Sequence, residues 1–171
     1  MNNMRRGFTM IELIFVIVII GILAAVAIPK LAANRDKATG AICASEVGNL
    51  ITELTSNYAV SGYTDFRALT VGAVTNGNTG VSDGDTGNAS SGIDQAATAT
   101  LATALGAPII YFCEGKEAAR IGETTLSGKD YNLTITPKAS AANPAAVAAA
   151  ALIAKNYKTS EGTTVNIPLS Y

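Results

Sequence analysis

Histidine and tryptophan are absent from this chain of 171 residues, and cysteine occurs only twice. Without histidine the chain can form no Ser-His-Asp triad, no Cys-His nucleophile and no histidine metal site. Two cysteines cannot build a four-cysteine zinc site. Charge is scarce as well, with 15% charged residues and a formal net charge of −1, and no basic patch suggests a nucleic acid partner. These absences predict a protein that is not an enzyme and does not bind DNA or RNA.

One long apolar run lies near the N terminus. Residues 8–28 contain a single charged side chain, Glu12, in 21 residues. As a helix this run would be roughly 31 Å long, which matches the hydrocarbon core of a bilayer. Arg5 and Arg6 precede it, and positive residues favour the cytoplasmic side of a membrane. The run predicts a membrane helix with a cytoplasmic N terminus and the remaining chain across the membrane.

Two general interpretations of this run are open. A plain transmembrane anchor explains its length but not Glu12, because a carboxylate at the centre of a membrane helix costs about 2.5–3.5 kcal/mol, and less nearer its end. A secretory signal peptide would end at a small-x-small cleavage site, and residues 25–27, AVA, have that form. Signal peptidase would then cut after Ala27 and release a soluble binding domain.

The start of the run carries a more specific signal. Residues 7–13 read GFTMIEL and lead directly into the apolar run. They resemble the prepilin signature of type IV pilins and type II secretion pseudopilins, and the resemblance is specific over about residues 5–37. It implies that a prepilin peptidase cuts after Gly7 and methylates the new amine of Phe8. It also implies that Glu12 pairs with the N-terminal amine of a neighbouring subunit.

The same resemblance implies what the protein does. It implies a structural subunit whose precursor lies in the bacterial inner membrane with a periplasmic head. The processed subunit would then polymerise with copies of itself into a helical filament in the periplasm or at the cell surface. The implied partners are the prepilin peptidase, an assembly ATPase and a platform membrane protein. The residues do not decide between a surface pilus and a secretion pseudopilus.

The helix is predicted to continue beyond the membrane segment. Pro29 removes one backbone donor, which bends a helix more often than it ends one, and the family commonly has a helix-bending proline there. Apolar residues then recur at spacings of three and four, which places them on one face. This inward stripe comprises Cys43, Val47, Leu50, Ile51, Leu54 and Tyr58. Ser61-Gly62 is the predicted end of the helix.

The remaining chain predicts a small antiparallel sheet. A loop rich in glycine and polar residues covers 62–92, and the alanine- and threonine-rich stretch 93–105 suggests a short helix. Strands are predicted at 109–113, 120–126, 131–136 and 165–169, and Pro168 predicts an edge position for the last of them. A further helix is predicted from Asn143 to about Lys155.

Together these patterns predict an α+β fold with a long N-terminal helix and a small antiparallel sheet, and the resemblance implies the pilin-like architecture in which that helix packs on the sheet. The predicted divisions are a leader at 1–7, a transmembrane or filament-core helix at 8–28, an amphipathic half of the helix at 29–61 and a globular head at 62–171.

The two cysteines fit an exported head. Cys43 lies on the inward stripe, and Cys113 ends an apolar strand. If the head is exported, the compartment is oxidising and a Cys43–Cys113 disulfide is the simple expectation. Two buried free thiols are the alternative.

Two weaker signals concern ligands and modification. Asp83 and Asp85 lie in a polar loop and offer oxygen ligands to Ca²⁺, but their spacing does not fit the EF-hand pattern, so a solvated loop without cofactor is the expectation. Residues 130–134, DYNLT, fit a bacterial glycosylation sequon around Asn132. Asn132 also falls in a predicted strand, which would hinder access.

Overall fold

The computed structural model describes residues 7–81, 91–125, 131–138 and 143–169. They belong to two compact units, Met1–Arg35 and Asp36–Tyr171. The first helix, α1, covers Met10–Ala68 and contributes to both units. Its N-terminal part is long and apolar enough to cross a membrane.

The predicted end of this helix is a break rather than a terminus. At Gly62 the backbone leaves the helical region, with φ 69° and ψ 174°. Positive φ of this kind favours glycine, because a Cβ atom is disfavoured there. Helical structure then resumes and ends at Ala68, so the loop that the sequence predicted from residue 62 begins later.

The head contains one five-stranded sheet. Its strands are β1 (Gly92–Ile93), β2 (Ile109–Cys113), β3 (Lys116–Thr125), β4 (Tyr131–Pro137) and β5 (Val165–Leu169). Each strand pairs antiparallel with the next along the chain, so the spatial order is β1-β2-β3-β4-β5. Pro168 lies in β5 at the sheet edge, as predicted. The predicted α+β architecture is confirmed.

The strand β3 begins earlier than the predicted position of residue 120. Glu114 and Gly115 both have positive φ, 49° and 71°, and form a two-residue connection that pairs Cys113 with Lys116. Such a connection matches the twist of the flanking strands and fixes their register. The turn therefore extends the strand through residues 116–119, whose own composition does not favour a strand.

In its described residues the head contains three further helices. They are α2 (Val71–Val74), α3 (Leu101–Gly106) and α4 (Pro144–Asn156). The first lies in the stretch that the sequence predicted as loop. The second is shorter than the predicted 93–105, since Ile93 pairs with β2 and the helix begins only at Leu101. The third follows the prediction: the Asn143 side chain accepts hydrogen bonds from the N–H groups of Ala145 and Ala146 at 2.8 and 3.2 Å, which caps the helix.

The inward stripe of α1 forms one side of the core. All six of its predicted residues are buried, together with Ala44. Near its end, the ring of Tyr58 stacks on that of Tyr131 at 5.4 Å and meets Phe66 edge-on at 5.5 Å. These aromatic contacts hold the helix against β4 on both sides of the break at Gly62.

At Gly40 the helix approaches α4 closely. A Cβ atom added there would lie 2.6 Å from Ala148 Cβ and 2.8 Å from the Ala145 carbonyl oxygen. Both neighbours belong to a helix, and one contact is backbone, so the site cannot relax by moving a flexible side chain. Gly48 lies further along α1, and a Cβ atom added there would have no other atom within 4 Å.

We expect Gly40→Ala to lower the free energy of unfolding by about 1–3 kcal/mol, because overpacking displaces α4. The matched control Gly48→Ala should raise it by up to about 1 kcal/mol, because alanine is the better helix former and meets no obstacle. Denaturant unfolding of the full chain in detergent measures both. Equal effects of the two substitutions would contradict the close approach of the helices.

Candidate functional site

The side chains of Thr9 and Glu12 cap the beginning of α1, each by accepting a hydrogen bond from the other residue's backbone N–H group. The Thr9 N–H and hydroxyl both donate to Oε2 of Glu12, at 2.8 and 2.7 Å, and the Glu12 N–H donates to Thr9 Oγ1 at 3.4 Å. Since the helix begins at Met10, Thr9 is the N-cap and Glu12 the third helical residue. This is a capping box, which satisfies backbone donors that have no partner within the helix.

The predicted processing residues precede this cap. Gly7 and Phe8 lie in non-helical backbone, and both are exposed. A Cβ at Gly7 would meet nothing within 4 Å, and Phe8 is 84% exposed. The described residues therefore leave the bond between them sterically open.

Apolar side chains cover the part of α1 that follows. They are exposed on all sides in the unit Met1–Arg35, and Pro29 lies inside the helix without ending it. The large exposed ones run from Phe8 through Met10, Ile11, Leu13, Ile14, Phe15, Val16, Ile17, Val18, Ile19, Ile20, Ile22, Leu23, Val26, Ile28 and Leu31. A helix that is apolar all round requires an apolar environment on all sides.

The head is cross-linked by a disulfide between Cys43 of α1 and Cys113 of β2. The two Cα atoms are 5.8 Å apart, and both residues are fully buried. The bridge closes a sequence separation of 70 residues, which in the chain-entropy description stabilises the fold by about 4 kcal/mol. It joins the inward stripe to the sheet, as the sequence predicted, and neither cysteine is a free thiol.

The head also contains a cavity of about 300 Å³ that polar and apolar side chains line together. Among its lining residues, the Tyr111 hydroxyl donates to Glu46, and Asn76 Nδ2 donates to Oε1 of Glu53 at 3.3 Å. Burial and the contact with Glu46 raise the pKa of Tyr111. The charged side chains among its described lining residues, Glu46 and Glu53, are both acidic.

Neither weak prediction gains support from the fold. Asp83 and Asp85, the calcium candidates, lie outside the described residues. Within the described ranges, no group of three or more histidine, cysteine, aspartate or glutamate side chains could hold a metal ion. Asn132 is described, and only 8% of it is exposed within β4, so the folded sheet does not present it for glycosylation.

The sequence analysis missed a network that follows the break at Gly62. Arg67 Nη2 lies 2.9 Å from Oε1 of Glu123 in β3, and Arg67 Nη1 donates to the Tyr63 hydroxyl at 2.8 Å. The Tyr131 hydroxyl donates to Oε2 of Glu123. Burial, and then the hydrogen bond to Glu123, raise the pKa of Tyr131. The i,i+4 spacing of Tyr63 and Arg67 is the sequence signal that could have predicted the contact between these two side chains.

This network predicts a loss of stability at alkaline pH. A raised pKa means that the folded state holds the Tyr131 proton more tightly than the unfolded chain, whose tyrosines titrate near pH 10. The stabilisation is therefore complete below about pH 10 and is lost as the pH rises above that value. In Tyr131→Phe, which keeps the ring, the free energy of unfolding should fall less steeply between about pH 9 and pH 11. Tyr111 also has a raised pKa, but it is present in both the wild type and Tyr131→Phe, so it does not contribute to the difference between their pH profiles. Parallel pH profiles would contradict the role of the Tyr131 hydroxyl.

Comparisons with known proteins concern the same N-terminal region and a limited length of chain. The family model described as "Prokaryotic N-terminal methylation motif" matches residues 2–28. The type II secretion system core protein G of Dickeya chrysanthemi is 39% identical over 54 residues, which are 32% of this chain and 35% of that protein. The protein of the same name from Klebsiella michiganensis is 56% identical over 34 residues, 20% of this chain and 24% of that one.

The chain thus spans about a third or less of the length of these curated relatives. No solved structure matches it. The findings show that this chain carries a prokaryotic N-terminal methylation motif at residues 2–28 and is homologous, over part of its length, to type II secretion system core protein G.

Proposed function

We propose that this protein is a structural subunit of a type II secretion pseudopilus or a related type IV pilus-like filament, and not an enzyme. The observation that carries the proposal is the methylation motif at residues 2–28, followed by a helix whose apolar side chains are exposed on every side. The partial homology to core protein G favours the pseudopilus over the surface pilus.

Processing is the first proposed step. A prepilin peptidase cuts between Gly7 and Phe8 on the cytoplasmic face of the inner membrane and methylates the new amine of Phe8. The exposed, non-helical backbone at these two residues supports access to the bond. Cleavage removes Arg5 and Arg6, which hold the N terminus on the cytoplasmic side.

Assembly is the second step. While the subunit is in the membrane, the apolar helix is solvated by lipid and the head is periplasmic. In the filament, the same side chains are covered by the helices of other copies. Because lipid and neighbouring helices are both apolar, packing and polar contacts decide between them. The implied machinery is an assembly ATPase and a platform membrane protein.

Glu12 supplies the polar contact that sets the axial register. In the free subunit its carboxylate accepts hydrogen bonds from Thr9, and a polar group within an apolar helix is costly without such partners. In the filament the methylated amine of Phe8 from a neighbouring subunit adds the opposite charge. A carboxylate and an ammonium that are each costly alone in hydrocarbon become tolerable as a pair.

Two substitutions separate the charge of Glu12 from its capping role. Glu12→Gln keeps a side chain that serves in a capping box but removes the charge. Thr9→Val removes the capping hydroxyl but keeps the charge. We expect Glu12→Gln to be processed yet to abolish filaments, and Thr9→Val to retain them, because an unpaired ammonium in the helix bundle costs several kcal/mol.

Sheared-filament yield and immunoblotting of the processed form, in cells that produce the complete secretion machinery, measure both steps. Normal filaments from Glu12→Gln would contradict the proposed charge pair. Filaments from Glu12→Gln but none from Thr9→Val, with normal processing of both, would assign the role to the cap instead.

A further inference from the structure

The chain after α2 presents an Asn-Gly sequence on the rim of the cavity that Glu46 and Glu53 line. Asn76 and Gly77 are both exposed, so water reaches them. In this dipeptide the glycine nitrogen attacks the asparagine side-chain amide readily, because glycine has no side chain to obstruct the approach. Asparagine is for this reason among the chemically labile residues of proteins.

Two hydrogen bonds in the folded head engage the groups that would react. The Gly77 N–H, which contains the attacking nitrogen, donates to Thr75 Oγ1 at 3.0 Å. The Asn76 Nδ2 group, which would leave, donates to Oε1 of Glu53 at 3.3 Å. Thr75 is only 8% exposed, so its hydroxyl is largely shielded from water that would compete for the Gly77 N–H. The two contacts fix the glycine nitrogen and the side-chain amide on separate partners.

We propose that Asn76 is a deamidation site and that these two hydrogen bonds suppress its deamidation while the head is folded. When they are broken, the Gly77 nitrogen loses its proton and forms a bond to Cγ of Asn76. The bond from Cγ to Nδ2 breaks and ammonia leaves, which closes a succinimide. One water molecule then opens this ring to an aspartate or isoaspartate, so the net change is the exchange of ammonia for water.

The product changes the charge of the cavity. It places a carboxylate where an amide donated to Glu53, in a cavity whose described charged residues, Glu46 and Glu53, are already negative. The amide donor is lost and two like charges face each other, which is unfavourable. The deamidated fraction would therefore increase with the total time that the two hydrogen bonds are broken, and the added charge would hinder their re-formation.

The experiment follows deamidation of the full chain in detergent at mildly alkaline pH, by mass spectrometry of the peptide that contains residue 76. The folded protein is compared with the same protein unfolded in urea. Asn78 lies two residues away but precedes Thr79, so it is an internal control. Gly77→Ala is a second control, since its Cβ would meet only Thr75 Oγ1, at 3.2 Å, and it should slow the reaction in the unfolded chain.

We expect the folded wild type to react at least about tenfold more slowly than the unfolded chain, which is the effect of one to two hydrogen bonds. Thr75→Val, which removes the acceptor for Gly77, should react roughly threefold to tenfold faster than the wild type while folded. Circular dichroism and the intact disulfide establish that it is folded. If it does not fold, Glu53→Ala takes its place, with acceleration expected from loss of the contact to Nδ2.

Equal rates in the folded and unfolded wild type would overturn the proposal. A folded Thr75→Val, or the folded Glu53→Ala that replaces it, reacting as slowly as the wild type would overturn it as well. Neither result bears on filament assembly, which the variants at Glu12 and Thr9 test separately.

Discussion

The apolar surface of residues 8–31 imposes the constraint on which the remaining structure depends. Its side chains are exposed in the single chain, with Phe8 at 84% and Ile11 at 75%, and at about 25 cal/mol per Å² such a surface strongly favours an apolar environment. A bilayer and a bundle of identical helices both provide one. Because the two environments differ little in apolarity, we propose that Glu12 and the groups it contacts decide which arrangement forms.

The head holds the second half of this helix in place through contacts at several positions. The disulfide fixes α1 to β2 at Cys43, and the close approach at Gly40 fixes it to α4. Beyond the break at Gly62, Arg67 and Glu123 link the last turns of α1 to β3. The part of α1 that belongs to the head thus contacts β2, α4 and β3 at separate points along its length. This distribution suits a structural subunit.

The sequence was most informative where one physical pattern dominated. The apolar spacing of residues 43–58, the strand composition of residues 131–136 and the helix start at Asn143 each predicted local structure that the fold contains. It was least informative where tertiary contacts override local preference. The turn at Glu114-Gly115 extends β3 through weak strand formers, and α2 forms in a stretch whose glycine content favours a loop. The link between Arg67 and Glu123 joins residues far apart in sequence, so no local spacing could reveal it. For the N-terminal site, the motif predicted the residues, and the T-x-x-E spacing of Thr9 and Glu12 is a capping-box signature that the sequence analysis did not use.

The most direct test of the central claim is the intact mass and N-terminal sequence of the protein recovered from cells that contain its prepilin peptidase. If the protein is a filament subunit, we expect a chain that begins at Phe8 and carries one additional methyl group. A chain that begins at Ile28 would contradict this account, since the apolar helix and Glu12 would both have been removed. An uncut chain beginning at Met1 would likewise contradict it and would leave a membrane-anchored head.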